Sequence, residues 1–420
     1  MEAYDLDASS IPHHLVDRDA AFAAHVDRVV FNHSGPGIKF MSLKHTRYDT
    51  DGDRRVTAWL DRLASRDHHL LERLDVSIGA AMYTPPSLFR CTTLVDLRLD
   101  LHAAVRGLDD GAVHLPVLRR LSLEHTGFNS STHFQNLIDG CPLLEMLHLR
   151  FTALAHREDT AGIVIGSPSL RRVVLEGCGG YGTVPFEVTA PNVDEFVFSG
   201  RNVVALESGG VRRLAARKVS LLMDDKTWFY HMFASFQVMP FFNVGSNMSR
   251  IMSGFQGVVE LAISGWCIEY LSRIVDCIEL PELGIQTLRV EGMWPNEGQA
   301  GIVLHLLRSS PCLRSLFITN ELDHPMDISI DVHREQYPKT PEFLFDDMPG
   351  RLSHLRRFFM FNFTGNHNEI SIINFVLSSS CISIDPDQFG VTDVLGNDWS
   401  STQLILASYV LVNSQPWMHE

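Results

Sequence analysis

The sequence predicts an α/β solenoid, a curved array of stacked units that each add one strand to a parallel sheet on the concave face. Three observations predict it. A short apolar pattern, Leu-x-x-Leu-x-Leu, returns about every 23 to 28 residues. A proline often stands two residues before it, and helical apolar spacing often precedes that proline. A fixed period of this length is the mark of repeats that pack only on their neighbours.

The pattern runs through most of the chain. Leu71, Leu74 and Val76 open the first clear unit. Leu94–Leu97–Leu99, Leu118–Leu121–Leu123 and Leu144–Leu147–Leu149 follow, then Leu170–Val173–Leu175 and Val193–Phe196–Phe198. After an irregular stretch come Val258–Leu261–Ile263, Ile285–Leu288–Val290 and Leu313–Leu316–Ile318, and a last unit at Leu355–Phe358–Met360. The steps are 23, 24, 26, 26 and 23 residues, then 65, 27, 28 and 42. Ile38–Met41–Leu43 and Val211–Leu214–Ala216 are weaker units, giving roughly ten to twelve repeats of leucine-rich type.

The proline signal is Pro116, Pro142, Pro168, Pro191 and Pro311. Proline lacks a backbone donor and keeps the residue before it out of helix, so it ends one element and starts an extended one. Each unit therefore reads helix, proline stop, short strand, loop, as in FQNLIDGCPLLEMLHL and IVLHLLRSSPCLRSLFI.

These signals set the expected organisation. Residues 1–21 read as an N-terminal tail and 22–365 as the solenoid. The solenoid holds an irregular middle at about 201–254 and an Asp- and Pro-rich insertion at 321–349. Residues 366–380 and 381–420 read as a further segment and a divergent C-terminal tail.

Composition narrows the function. The net charge of −15 argues against a phosphate-backbone binder, which needs a basic footprint, so no nucleic-acid partner is expected. The acidic start MEAYDLDASSIP is no secretory signal. No run approaches the roughly 18 apolar residues of a membrane span, so no membrane partner is expected. Seven scattered cysteines do not form a disulfide framework. The expected setting is the cytosol or nucleus, with reduced thiols.

Candidate chemistry is sparse. Gly177 to Gly182 match G-x-G-x-x-G after a strand, but TVPFEV follows where a phosphate cradle needs a helix. The segment reads as a loop. Twenty histidines include the adjacent pairs His13–His14 and His68–His69, yet no H-x-x-x-H, C-x-x-C or H-E-x-x-H spacing occurs. No G-x-S-x-G elbow appears. The expectation is no metal, no cofactor and no enzyme activity.

The strand face remains. When positions four and six of the pattern point inward, positions three, five and seven point outward and line up in columns across successive strands. Candidate partner-binding residues there are Arg98, Arg120, His148, Arg150, Arg172 and Glu195, then Arg289, Phe317, Phe359 and Phe361. Arginine and aromatics most often anchor interfaces. The competing reading is a solvated face of internal ion pairs, such as Arg98 with Glu124. The aromatic run Trp228, Phe229, Tyr230, Phe233, Phe236, Phe241 and Phe242 reads as the core of an irregular repeat, with a small-molecule pocket near 228–242 as the alternative.

Several runs resemble plant F-box/leucine-rich-repeat proteins of the subgroup with a C-terminal FBD region. They are Cys141 to Leu149, Ser167 to Cys178 and Ala190 to Gly200, with Phe22 to Val29 at the start. Leu355 to Gly365 and Asn368 to Leu377 look like that subgroup's closing strand and helix. The resemblance implies a substrate-recognition module of a ubiquitin ligase, with a protein target on the concave face. It also implies a Skp-type adaptor bound through an F-box. No complete F-box is recognisable before Phe22, so the alternative is a freestanding scaffold or competitor outside ubiquitin transfer.

Overall fold

The computed structural model describes residues 2–11, 18–32, 37–45, 52–65, 70–79, 83–105, 108, 112–152, 163–178, 186–188, 190–199, 216–222, 252, 255, 257–272, 280–321, 350–380 and 389–393. The chain divides into two compact units. The first holds residues 1–196 and 204–214, the second 197–203 and 215–420.

In the first unit a parallel sheet runs in chain order through β1 (Glu2–Asp7), β2 (Ile38–His45), β3 (Arg73–Ile78), β5 (Asp96–Val105), β6 (Arg120–Phe128), β7 (Met146–Arg150) and β9 (Arg172–Glu176). A two-residue strand, β4 (Tyr83–Thr84), pairs with the end of β5. Registers align like positions of successive repeats: Leu74 lies beside Leu97, Leu97 beside Leu121, Leu121 beside Leu147, and Leu147 beside Val173. These residues are all at most 1% exposed, so one apolar column per position forms the core.

A tight turn precedes the strand of five successive repeats. Leu94, Leu118, Leu144, Leu170 and Val193 each donate a backbone N–H to the carbonyl three residues earlier. Pro116, Pro142, Pro168 and Pro191 fall just after the accepting residue, where fixed φ suits a turn. A side chain just past some strands also donates to the neighbouring repeat. Thr152 Oγ1 reaches the Leu123 carbonyl at 3.1 Å, and Cys178 Sγ reaches that of Leu149 at 3.3 Å. Burial pushes the Cys178 and Cys141 thiols up to about 12.

The expected helix precedes Pro142, as α3 (Ser131–Asp139), capped by Ser130 and burying Phe134, Leu137 and Ile138. Among the described residues none precedes Pro168 or Pro191. There the connections carry β8 (Ile163–Ile165) and β10 (Phe186–Val188), which pair with each other in parallel. Ile-Val-Ile and Phe-Glu-Val fit a pleated strand better than a helix. At the start of the unit, α1 (Arg18–Asn32) buries Phe22, Ala23, Val26, Val29 and Val30 at helical spacing. The α2 helix (Gly52–Ser65) packs on it, with Trp59 Nε1 donating to Asp27 at 2.6 Å.

Part of the expected tail 1–21 is ordered into the sheet. Glu2–Asp7 pairs with β2, and Leu6 is 9% exposed, so the stretch supplies the first strand. The weak unit Ile38–Met41–Leu43 is likewise a full repeat, with all three side chains buried in β2.

The second unit repeats the plan with β12 (Lys218–Leu222), β13 (Glu260–Ser264), β14 (Thr287–Met293), β15 (Ser315–Asn320), β16 (Arg357–Phe363) and β17 (Phe389–Asp393), all parallel. Strand β11 (Glu195–Ser199) contains the boundary between the units. Among the described residues, three helices lie between these strands: α4 (Gly265–Ser272), α5 (Glu297–Arg308) and α6 (His367–Ser379). Helix α6 follows β16, as the resemblance implied, but Phe389–Asp393, within the expected tail, then adds β17 beside β16, so β16 does not close the sheet. Val211 and Leu214, the aromatic run at 228–242 and nearly all of the insertion 321–349 lie outside the described residues.

Candidate functional site

All ten candidate residues sit at positions three, five or seven of their strands, on the face opposite the Leu columns. Six are in the first unit and four in the second, and each set forms its own pattern.

In the first unit the pattern is a lattice of paired charges. At position three, Asp96 accepts from Arg120 at 2.9 Å and lies 3.3 Å from Arg73 Nε. Arg172 meets Glu195 at 2.7 Å. At positions five and seven, Arg98 lies 3.9 Å from Asp75 and 3.7 Å from Glu124. Arg150 donates to Glu124 at 2.6 Å and lies 3.5 Å from Glu176. Clamped between Arg98 and Arg150, Glu124 is only 7% exposed despite its outward position. His148 bridges Ser122 (3.5 Å to Nδ1) and Glu176 (3.4 Å to Nε2). Val174, also at an outward position, is 4% exposed and so offers nothing to a partner.

The second unit carries a strip of rings instead. The Arg289 guanidinium lies 4.6 Å above the Phe317 ring. Phe317 stacks on Phe359 with centroids 5.8 Å apart and planes 9° apart, and Phe359 stacks on Phe361 at 6.4 Å. The register that places Arg289 beside Phe317 and Phe317 beside Phe359 produces this strip directly. Gly390 of β17 continues the row without a side chain; a Cβ there would come within 2.9 Å of Phe359. Phe361 is 40% exposed. A cation over a ring and offset ring pairs are both attractive, by about 0.5–1.5 kcal/mol each.

A third feature was not read from the sequence. The residue at position eight of several repeats has a left-handed backbone: His125 (φ 48°), Phe151 (φ 47°), Gly177 (φ 58°), Gly292 (φ 68°) and Asn362 (φ 56°). His102 (φ 46°) joins them one residue later in its strand. His102 and His125 stack with centroids 4.2 Å apart, and His125 stacks on Phe151 at 5.2 Å. Gly177 ends the row, because a Cβ there would come within 2.6 Å of Phe151. The first glycine of the G-x-G-x-x-G match thus serves the repeat backbone, and Cys178 is a buried hydrogen-bond donor. Residues 179–182 lie outside the described part.

Among the described residues no helix is long and apolar enough to cross a membrane. His13–His14 and His68–His69 lie outside those residues.

Comparison with known proteins follows the same lines. A family model described as FBD-associated F-box protein At5g56370, LRR repeats, matches residues 56–222. The FBD-associated F-box protein At4g10400 of Arabidopsis thaliana is 23% identical over 304 residues, 71% of this chain and 61% of the relative. The F-box protein At3g03040 of the same plant is 24% identical over 316 residues, 73% of this chain and 64% of the relative. The F-box/LRR-repeat protein At1g48400 is 31% identical over 156 residues, 37% of this chain and 31% of the relative. The chain spans less than two thirds of the length of these relatives.

Proposed function

We propose, from the premise that these are leucine-rich repeats of the plant FBD-associated F-box type, that the chain recognises a protein partner with the outward positions of its strands. The observation that carries this reading is the Arg289–Phe317–Phe359–Phe361 strip. Partly exposed rings in a row, Phe361 the most exposed, are surface that a partner gains free energy by covering, and arginine with aromatics is the composition of interface anchors. In the first unit, taken by itself, the carboxylates and guanidiniums pair with one another and have less to offer a partner.

In this reading the chain is the substrate-binding part of a ubiquitin-ligase receptor acting in the cytosol or nucleus. The rival is a scaffold or competitor that binds the same target without delivering it. Adaptor binding separates the two. An affinity pull-down from plant extract is probed for the Skp-type adaptor and the cullin. Their recovery supports the receptor; recovery of other proteins without them supports the rival.

The face itself is tested with Phe317→Ala combined with Phe361→Ala. Both rings are on the surface, so folding is retained while the main recovered partner is lost. Undiminished partner recovery by this variant would reject the strip as the site. Arg150 is a poor choice for charge reversal, because a glutamate there would stand between Glu124 and Glu176.

A further inference from the structure

One cluster of side chains has a chemistry that protein recognition does not use. Asp100, His102 and His125 come from adjacent strands, β5 and β6, and one donor atom of each lies within 4.8 Å of the other two. His125 Nδ1 is 2.9 Å from Asp100 Oδ1. Ser77 Oγ, one strand further back, donates to Asp100 Oδ2 at 3.0 Å and holds the carboxylate in place.

A bulge creates this meeting. Asp100 pairs with Glu124, but Ala103 pairs with Thr126, so β5 spends two residues where β6 spends one. Leu101 turns into the core at 0% exposure, and His102 returns to the outer side at the level of His125. Without the extra residue no second imidazole would stand there. A bulge commonly re-aims a side chain in this way.

We propose that Asp100, His102 and His125 bind one divalent transition-metal ion, with zinc, nickel and cobalt as the class. Two imidazoles and one carboxylate are the donor set such ions prefer, whereas magnesium and calcium take oxygen-rich sites. Three protein donors leave a coordination position for water or for a side chain of a partner. The imidazole planes are 12° apart, so one ring must turn for both nitrogens to converge. His102 is exposed and can turn; His125 is held between His102 and Phe151 and hydrogen-bonded to Asp100. The carboxylate braced by Ser77 supplies the outer-shell orientation that metal ligands need. The spacing of 23 residues between the histidines is one repeat, so no short sequence motif marks the site.

The test titrates the full chain with zinc chloride by calorimetry and with cobalt chloride by visible absorption. The variants are His102→Ala, His125→Ala and Asp100→Asn, with His114→Ala, an exposed histidine elsewhere in the first unit, as control. Wild type and control should bind one equivalent that each of the other three loses or holds at least about tenfold more weakly. Zinc should raise the melting temperature of wild type and control but not of His102→Ala, since an ion that binds only the folded chain stabilises it. His102 is on the surface, so its removal leaves the core intact and the comparison interpretable. Equal stoichiometry and affinity in wild type and His102→Ala would overturn the site, as would no zinc binding by wild type.

Discussion

The two units of this chain each build the same kind of core and differ in what they show. Positions one, four and six are filled by the same kind of residue in both: Leu144, Leu147 and Leu149 in one, Leu313, Leu316 and Ile318 in the other, all 0% exposed. Positions three, five and seven diverge. In the first unit nearly every outward charge meets an opposite charge one repeat away, from Asp75 through Arg98, Glu124 and Arg150 to Glu176. In the second unit Lys218 and Glu260 still pair at position three, at 3.2 Å, but positions five and seven include Arg289, Phe317, Phe359 and Phe361 in a stacked row. A paired exposed charge has little left to offer a partner. A half-exposed ring still has its burial free energy available, about 25 cal/mol for each Å² covered. The same scaffold thus carries a self-satisfied face and an unsatisfied one.

If the cores are equivalent, their disruption must cost the same in both units. Leu147→Ala and Leu316→Ala each remove a fully buried side chain and should destabilise by about 2–5 kcal/mol. Urea denaturation followed by circular dichroism measures both. A cost under about 1 kcal/mol in one unit alone would break the equivalence.

The second unit has one buried feature with no counterpart described in the first. Glu369, 0% exposed, caps the start of α6 and joins it to two strands. Its carboxylate accepts from Thr364 Oγ1 at 2.7 Å, from the N–H of Asn366 at 2.7 Å, from the N–H of Thr364 and from Asn320 Nδ2. Glu369→Ala strands these donors and should cost about 1–3 kcal/mol. Burial, outweighing these hydrogen bonds, pushes the carboxyl above its ordinary 4.5. A raised carboxyl contributes stability that is full below its unfolded value and is lost as pH rises through the folded value. The stability difference between wild type and Glu369→Ala, measured from pH 4 upward, should therefore shrink as pH rises above 4.5. A difference that grows with pH would mean the four donors outweigh burial.

The core was legible in the sequence because burial on one side of a strand imposes a two-residue alternation, and stacking imposes a repeat period. The outward columns followed from the same register, so Arg98 beside Glu124 and Phe317 beside Phe359 could be placed without coordinates. Three things were not legible. The bulge after Asp100 depends on a backbone choice that Leu-His-Ala does not announce, so the cluster with His102 and His125 was missed. The connections before Pro168 and Pro191 carry strands because local β-branched residues outweigh the repeat's helical habit. The pairing of Glu2–Asp7 with Ile38–His45 rests on a contact more than 30 residues away, with no Leu-x-x-Leu-x-Leu of its own.

The smallest effects distinguish the two faces most sharply. Arg172 and Glu195 are 2.7 Å apart with side chains 47% and 36% exposed, so solvent screens the pair heavily. Arg172→Ala should cost less than about 1 kcal/mol in stability, and still less in high salt. Phe361→Ala, at a 40% exposed ring, should cost about 0.5–1.5 kcal/mol through the lost stacking on Phe359. The two substitutions thus differ little in denaturation, and partner binding separates them. Phe361→Ala should weaken it strongly, because an interface draws most of its affinity from a few aromatic and arginine anchors. Arg172→Ala, in the other unit and already paired with Glu195, should leave affinity within about threefold. The reverse outcome, with binding lost in Arg172→Ala and kept in Phe361→Ala, would make the charge lattice the recognition surface in place of the ring strip.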